Sequence, residues 1–98
     1  MRTPEGYEKD DISKFLNSLD DCWHFRPLMM GFGKSGISDI VGCYRMRFFS
    51  IEVKRDGKKP TVIQTRRLQE VQAAGGLGYW GTAEKVIREF KRDFLLAP

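Results

Sequence analysis

The segment Phe49-Ser50-Ile51-Glu52-Val53-Lys54 holds the residues best suited to chemistry. Its alternation reads as a strand, in which successive side chains point to opposite faces. Phe49, Ile51 and Val53 then face a core. Ser50, Glu52 and Lys54 share the other face, which sets a carboxylate beside an ammonium. A third group enters through the preceding strand. If the chain reverses between Arg45 and Met46, residue 44 pairs with 47, and by the same register Asp39 lies opposite Glu52. Directly opposed residues of antiparallel strands have Cβ atoms about 4.5–5.5 Å apart. Two carboxylates that close repel one another unless a cation sits between them. Oxygen ligands of this kind suit magnesium or manganese. Such an ion lowers the pKa of water and neutralises charge on a phosphate oxygen. Lys54 beside it is placed to orient or help deprotonate a water, or to stabilise developing negative charge. A slip of one residue in register would turn Asp39 to the opposite face.

The elements that must position this set follow from periodicity and capping. The first helix is expected from about Pro4 to Leu19, with Thr3 as N-cap and Pro4 at the first helical position. Ile12, Phe15, Leu16 and Leu19 form its buried stripe. Glu8 lies one turn before Ile12 and Asp11 one turn before Phe15. An acid on an inward helix edge is costly unless something pairs with it, and Glu8 is a candidate to approach the ion through a bound water. Residues 22–27 read as a short strand, followed by a loop with glycines at 31, 33 and 36. Two strands, 39–44 and 47–54, form a hairpin. Arg45-Met46 is not a favoured pair for a two-residue turn, which leaves room for a wider reversal. After a polar loop, a second helix runs from near Thr61 to the stop signal Gly75-Gly76, with Gln64, Leu68 and Val71 on one face. Leu77 to Trp80 is a last strand. Thr82 caps a final helix whose inward stripe is Ala83, Val86, Ile87, Phe90 and Phe94. The order is α-β-β-β-α-β-α, an α/β fold expected as one domain over residues 1–98.

Composition narrows the setting. The 98 residues are 41% apolar and 31% charged, with a net charge of +4, an ordinary globular mixture. No apolar run approaches bilayer-spanning length. The first residues lead into a charged segment and not a signal peptide's apolar stretch, so the expected compartment is a cytoplasm. Cys22 and Cys43 lie outside any CxxC pair, and His24 is the only histidine. Zinc binding has too few ligands, and two reduced, partly buried thiols are expected. Residues 45–67 carry eight basic side chains, Arg45, Arg47, Lys54, Arg55, Lys58, Lys59, Arg66 and Arg67, against Glu52 and Asp56. Residues 5–21 hold six acids against Lys9 and Lys14. A basic sector suits a polyanion such as nucleic acid, and equally a solvated face. Lys34, Arg55, Lys58, Lys59, Arg66 and Arg67 are the candidate DNA contacts, which would make binding sensitive to salt.

Asp39 followed by Glu52-Val53-Lys54, in this order of elements, resembles the PD-(D/E)xK nuclease superfamily, and more narrowly the VRR-NUC (virus-type replication-repair nuclease) family. The likeness runs from Glu8 through Gly36-Ile37-Ser38-Asp39 and Ile51-Glu52-Val53-Lys54 to Gln64 and Ala74-Gly75-Gly76. It implies a restriction-endonuclease-like αβββαβ core with a mixed central sheet flanked by helices. It implies Asp39, Glu52 and the backbone carbonyl of Val53 as ligands of Mg2+ or Mn2+, Lys54 as the catalytic lysine, Glu8 as the helix acid near the metal and Gln64 as the glutamine beside the site. The family's Pro-Asp is Ser38-Asp39 here, which alters the loop and not the ligand. Small stand-alone members are similar to phage-type proteins that act as homodimers on branched DNA such as four-way (Holliday) junctions, which implies a phage-encoded protein acting in a bacterial host. Tyr79, Trp80 and Phe94 are candidates for the dimer surface, with plain core as the competing assignment. Other functions stay open at this point: a non-catalytic DNA-binding or assembly module in which Asp39 and Glu52 merely pair with Arg or Lys, and a nuclease acting on flaps, RNA or single strands.

Overall fold

A computed structural model describes residues 2–28 and 33–96; Gly31 of the glycine loop lies outside the described residues. The element order is that expected from the sequence: α1 (Pro4–Asn17), β1 (Trp23–Phe25), β2 (Ile40–Tyr44), β3 (Arg47–Val53), α2 (Val62–Ala73), β4 (Leu77–Gly81) and α3 (Ala83–Phe94). The four strands form one mixed sheet in the order β1-β2-β3-β4. β1, β2 and β3 are antiparallel neighbours, and β4 runs parallel to β3. A parallel neighbour requires a crossover, and α2 provides it.

Each helix starts where a threonine can accept an orphan backbone N–H. Thr3 Oγ1 accepts from Gly6 at 3.0 Å, with Pro4 opening α1. Thr61 and Gln64 form a reciprocal capping box at α2, and Thr82 accepts from Lys85 at α3. The reversal between β2 and β3 is the two-residue turn, with Tyr44 opposite Arg47. Arg45 and Met46 both take positive φ, 49° and 68°, an unfavourable region for side-chain-bearing residues. Arg45 offsets that cost through its guanidinium, which donates to the Phe94 carbonyl at the end of α3 at 2.6 Å.

Alternation along β3 buries Phe49, Ile51 and Val53 completely, against Ile12 and Leu16 of α1 and Val86, Phe90 and Phe94 of α3. Phe90 is the hub of this layer, with ring contacts to Phe15, Tyr44, Phe49, Tyr79 and Phe94 at centroid separations of 4.4–5.9 Å. Offset and edge-on packing of this kind adds to simple area burial. α2 covers the other face through Leu68, whose Cβ lies against Gly78. Tyr79 and Phe94 are 2% and 7% exposed. Of the two assignments open for them, plain core holds and a dimer surface does not: their rings are committed to the core. Cys22 is half-buried and Cys43 exposed; both are free thiols, so Cys43 is more open than the sequence suggested.

Candidate active site

β2 and β3 pair from Tyr44↔Arg47 up to Ile40↔Ile51. One further step along that register sets Asp39, just outside β2, opposite Glu52, as the alternation of the sequence requires. Asp39 turns its carboxylate onto the neighbouring strand: Oδ2 accepts the backbone N–H of Val53 at 2.8 Å, and Oδ1 lies 3.4 Å from Lys9 Nζ. The N–H and C=O of one strand residue face the same edge. The Val53 carbonyl therefore also faces the Asp39 side, while Lys54 N–H donates to Gly81 of β4.

Glu52 is the least comfortable group in the fold. It is 3% exposed. Its Oε2 lies 3.6 Å from Lys54 Nζ, and its Oε1 is buried with no hydrogen-bond partner among the described residues. Burial pushes its carboxyl up, the negative charge of Asp39 pushes it further, and a hydrogen bond from its protonated form to Asp39 adds to both. Lys54 opposes these effects only in part, and the group is pushed up to about 8. A buried carboxyl pushed above its usual range beside a second carboxylate is one that a bound cation would draw into its ionised form.

The other expected residues are arranged less simply. Glu8 Oε1 accepts the backbone N–H of Ala83 at 2.8 Å, which caps the start of α3. Asp11, the other acid near the α1 stripe, is exposed. Gln64 Oε1 accepts the Thr61 N–H at 2.8 Å and closes the α2 cap; among the described residues its side chain makes no hydrogen bond to Asp39, Glu52 or Lys54. Lys34 and Arg67 both pair with Glu70, at 3.7 and 3.0 Å, and Arg67 also donates to the Ser35 carbonyl. The two cations share that one acid. Arg55, Lys58, Lys59 and Arg66 are exposed and form no ion pair among the described residues.

Two neighbours were not foreseen. Lys9 reaches Asp39 from α1; its place beside Glu8 in sequence was the available signal, but the angle of α1 to the sheet was needed to use it. Trp80 pairs with Glu52 across the parallel ladder, and only the partner and direction of β4 make that visible. Among the described residues no group of three or more His, Cys, Asp or Glu side chains gathers to hold a metal ion. The donors at hand are two carboxylates and a backbone carbonyl. An apolar cavity of about 430 Å3 beside α2, lined by Val41, Phe48 and Val71 among others, includes neither acid.

No family model matches the chain, and no curated protein matches it. No helix among the described residues is long and apolar enough to cross a membrane.

Proposed function

We propose that this protein is a divalent-metal-dependent nuclease of the PD-(D/E)xK type that hydrolyses phosphodiester bonds in DNA. One observation carries the proposal: Glu52 is buried beside Asp39 with an oxygen that has no partner among the described residues and a carboxyl that resists ionising. The donor set fits Mg2+ or Mn2+. All three donors are oxygens, and magnesium commonly binds one or two carboxylates while water completes its shell. Asp39, Glu52 and the Val53 carbonyl would hold the ion, which supplies charge neutralisation at a phosphate and a lowered pKa for water.

The chain's own groups do the rest. The Val53 N–H fixes one Asp39 oxygen and so orients the carboxylate. The Lys54 ammonium, with its side chain 13% exposed, stands beside Glu52. There it can donate to a water or to a phosphate oxygen gathering negative charge, at low local dielectric where such a contact is worth most. Lys9 neutralises Asp39 while no substrate or ion is bound. Glu8 locks the start of α3, and Gln64 the start of α2, on either side of the site's strands.

Branched DNA as substrate and action as a homodimer rest on the family resemblance; two active sites related by a twofold axis would face two strands. A second function is favoured by one observation. Lys9 and Lys54 already pair with the two acids, as in a non-catalytic module. That assignment leaves Glu52 Oε1 without a partner among the described residues.

The test is a gel comparing linear duplex, flap, single-stranded and four-way DNA with magnesium, for the natural protein and Lys54→Ala. Cleavage by the natural protein and a loss of about 10²–10³ in rate for Lys54→Ala are expected, the range for removing one charge-stabilising donor. Equal rates for the two would defeat the proposal.

A further inference from the structure

A second cleft opens on the neighbouring strand. It holds about 270 Å3 and is walled by two pairs of cations from different elements. Arg55 and Lys58 come from a tight turn in which Lys58 N–H donates to the Arg55 carbonyl at 3.1 Å and Gly57 takes φ +82°. That is the geometry of a type II turn, which brings its end residues side by side. Lys85 and Arg88 stand three residues apart on α3 and so share a face. The floor is Trp80 and Gly81. Gly81 has φ +132°, and a Cβ there would meet Lys85 Cδ at 2.8 Å, so the missing side chain lets Lys85 lie across the strand. Its Nζ donates to the Trp80 carbonyl at 2.6 Å, sits 4.1 Å from the Trp80 ring centre and pairs with Glu89 at 3.3 Å. Asp56 and Glu84 also line the cleft, and with the Glu89 that pairs with Lys85 they leave the cations in excess by one (four against three). Arg55, Lys58 and Arg88 have no acidic partner among the described residues.

We propose that this cleft is a docking subsite for the phosphate backbone of a DNA strand. The inference rests on the nuclease reading for its purpose, since Trp80 is the ladder partner of Glu52 and adjacent strands lie about 4.8 Å apart. The cleft therefore lies one strand away from the backbone of Glu52. The substrate thus approaches over the start of α3, where Arg55, Lys58 and Arg88 have no acidic partner among the described residues, and not along the α2 flank, where Lys34 and Arg67 both hold to Glu70. Arg88 and Lys85 join the DNA contacts on this view, and the Lys85–Trp80 contact keeps the floor of the cleft in place.

Binding of a fluorescein-labelled single-stranded DNA oligonucleotide, and of its duplex, would be measured by anisotropy in EDTA across a salt series. The double variant Arg55→Gln/Arg88→Gln is compared with Lys14→Gln/Lys91→Gln, which removes equal charge from exposed helix positions outside the cleft. The cleft variant should weaken binding about tenfold and flatten the salt slope by about two, one for each phosphate contact removed. The other double should keep the natural slope to within about half a unit. Equal losses in both doubles, or no binding by the natural protein, would overturn the subsite. EDTA separates the two claims. If the loss is confined to the cleft variant but no DNA product forms with magnesium, the subsite stands and the nuclease reading falls.

Discussion

Asp39 spends one carboxylate oxygen on the backbone N–H of Val53, at 2.8 Å. This bond extends the β2–β3 ladder by a side chain and fixes the acid next to Glu52. Asparagine retains an oxygen that can accept the same bond; alanine does not. Asp39→Ala should therefore lose about 1–2 kcal/mol of stability, as expected when a part-buried N–H is left unpaired. Asp39→Asn should stay within about 0.5 kcal/mol of the natural protein while losing cleavage. Urea denaturation read beside the gel assay checks both. Equal destabilisation by the two substitutions would mean the Val53 bond does not hold the acid.

Glu52 predicts a pH dependence of definite sign. Its folded-state pKa of about 8 lies above the ordinary carboxylate value of 4.5. Between those limits the folded protein binds more protons than the unfolded chain, so stability falls as pH rises. This contribution is fully present below about pH 4.5 and is lost as pH passes about 8. In metal-free buffer Tm should decline across that window, and Glu52→Gln, which cannot ionise, should decline less. Parallel Tm profiles for both proteins would refute the assigned state of Glu52.

Glu8 ties the first helix to the last through the Ala83 N–H. Glu8→Ala removes the only acceptor of that N–H among the described residues and should cost about 1–2 kcal/mol, at the upper range for a lost helix cap. Glu8→Gln keeps an oxygen acceptor and should cost less than half as much. Chemical denaturation of the two variants decides; equal losses would show that charge, and not the capping bond, is what Glu8 contributes.

The fold was legible because its local signals agree with its packing. The three threonine caps, the 3.6-residue stripes of α1 and α3 and the alternation of Phe49, Ile51 and Val53 all point to the elements observed. The Asp39–Glu52 register was legible for the same reason, since a slip would have buried the wrong face of β3. What could not be read were relations set by the crossover and by helix orientation. Gln64 and Glu8 looked like site residues because they are polar on apolar faces; capping at α2 and α3 accounts for that pattern without a ligand. Lys34 and Arg67 looked like free charge because Glu70 lies beyond the basic window in sequence. Tyr79 and Phe94 stayed open between core and dimer surface because sequence does not say on which side of β4 and α3 the core closes. Arg55 and Lys58 were legible as basic residues, but Lys85 and Arg88 were hidden because α3 comes beside their turn only once β4 runs parallel to β3.

The measurement that bears most directly on the central claim is a calorimetric titration of Mn2+ into the natural protein, Asp39→Asn and Glu52→Gln at neutral pH. The account predicts saturable binding in the natural protein, with protons released as Glu52 ionises, and at least a tenfold loss of affinity in each variant, the order reported for disturbed metal shells. Absence of binding in the natural protein, or binding that survives both substitutions, would contradict it.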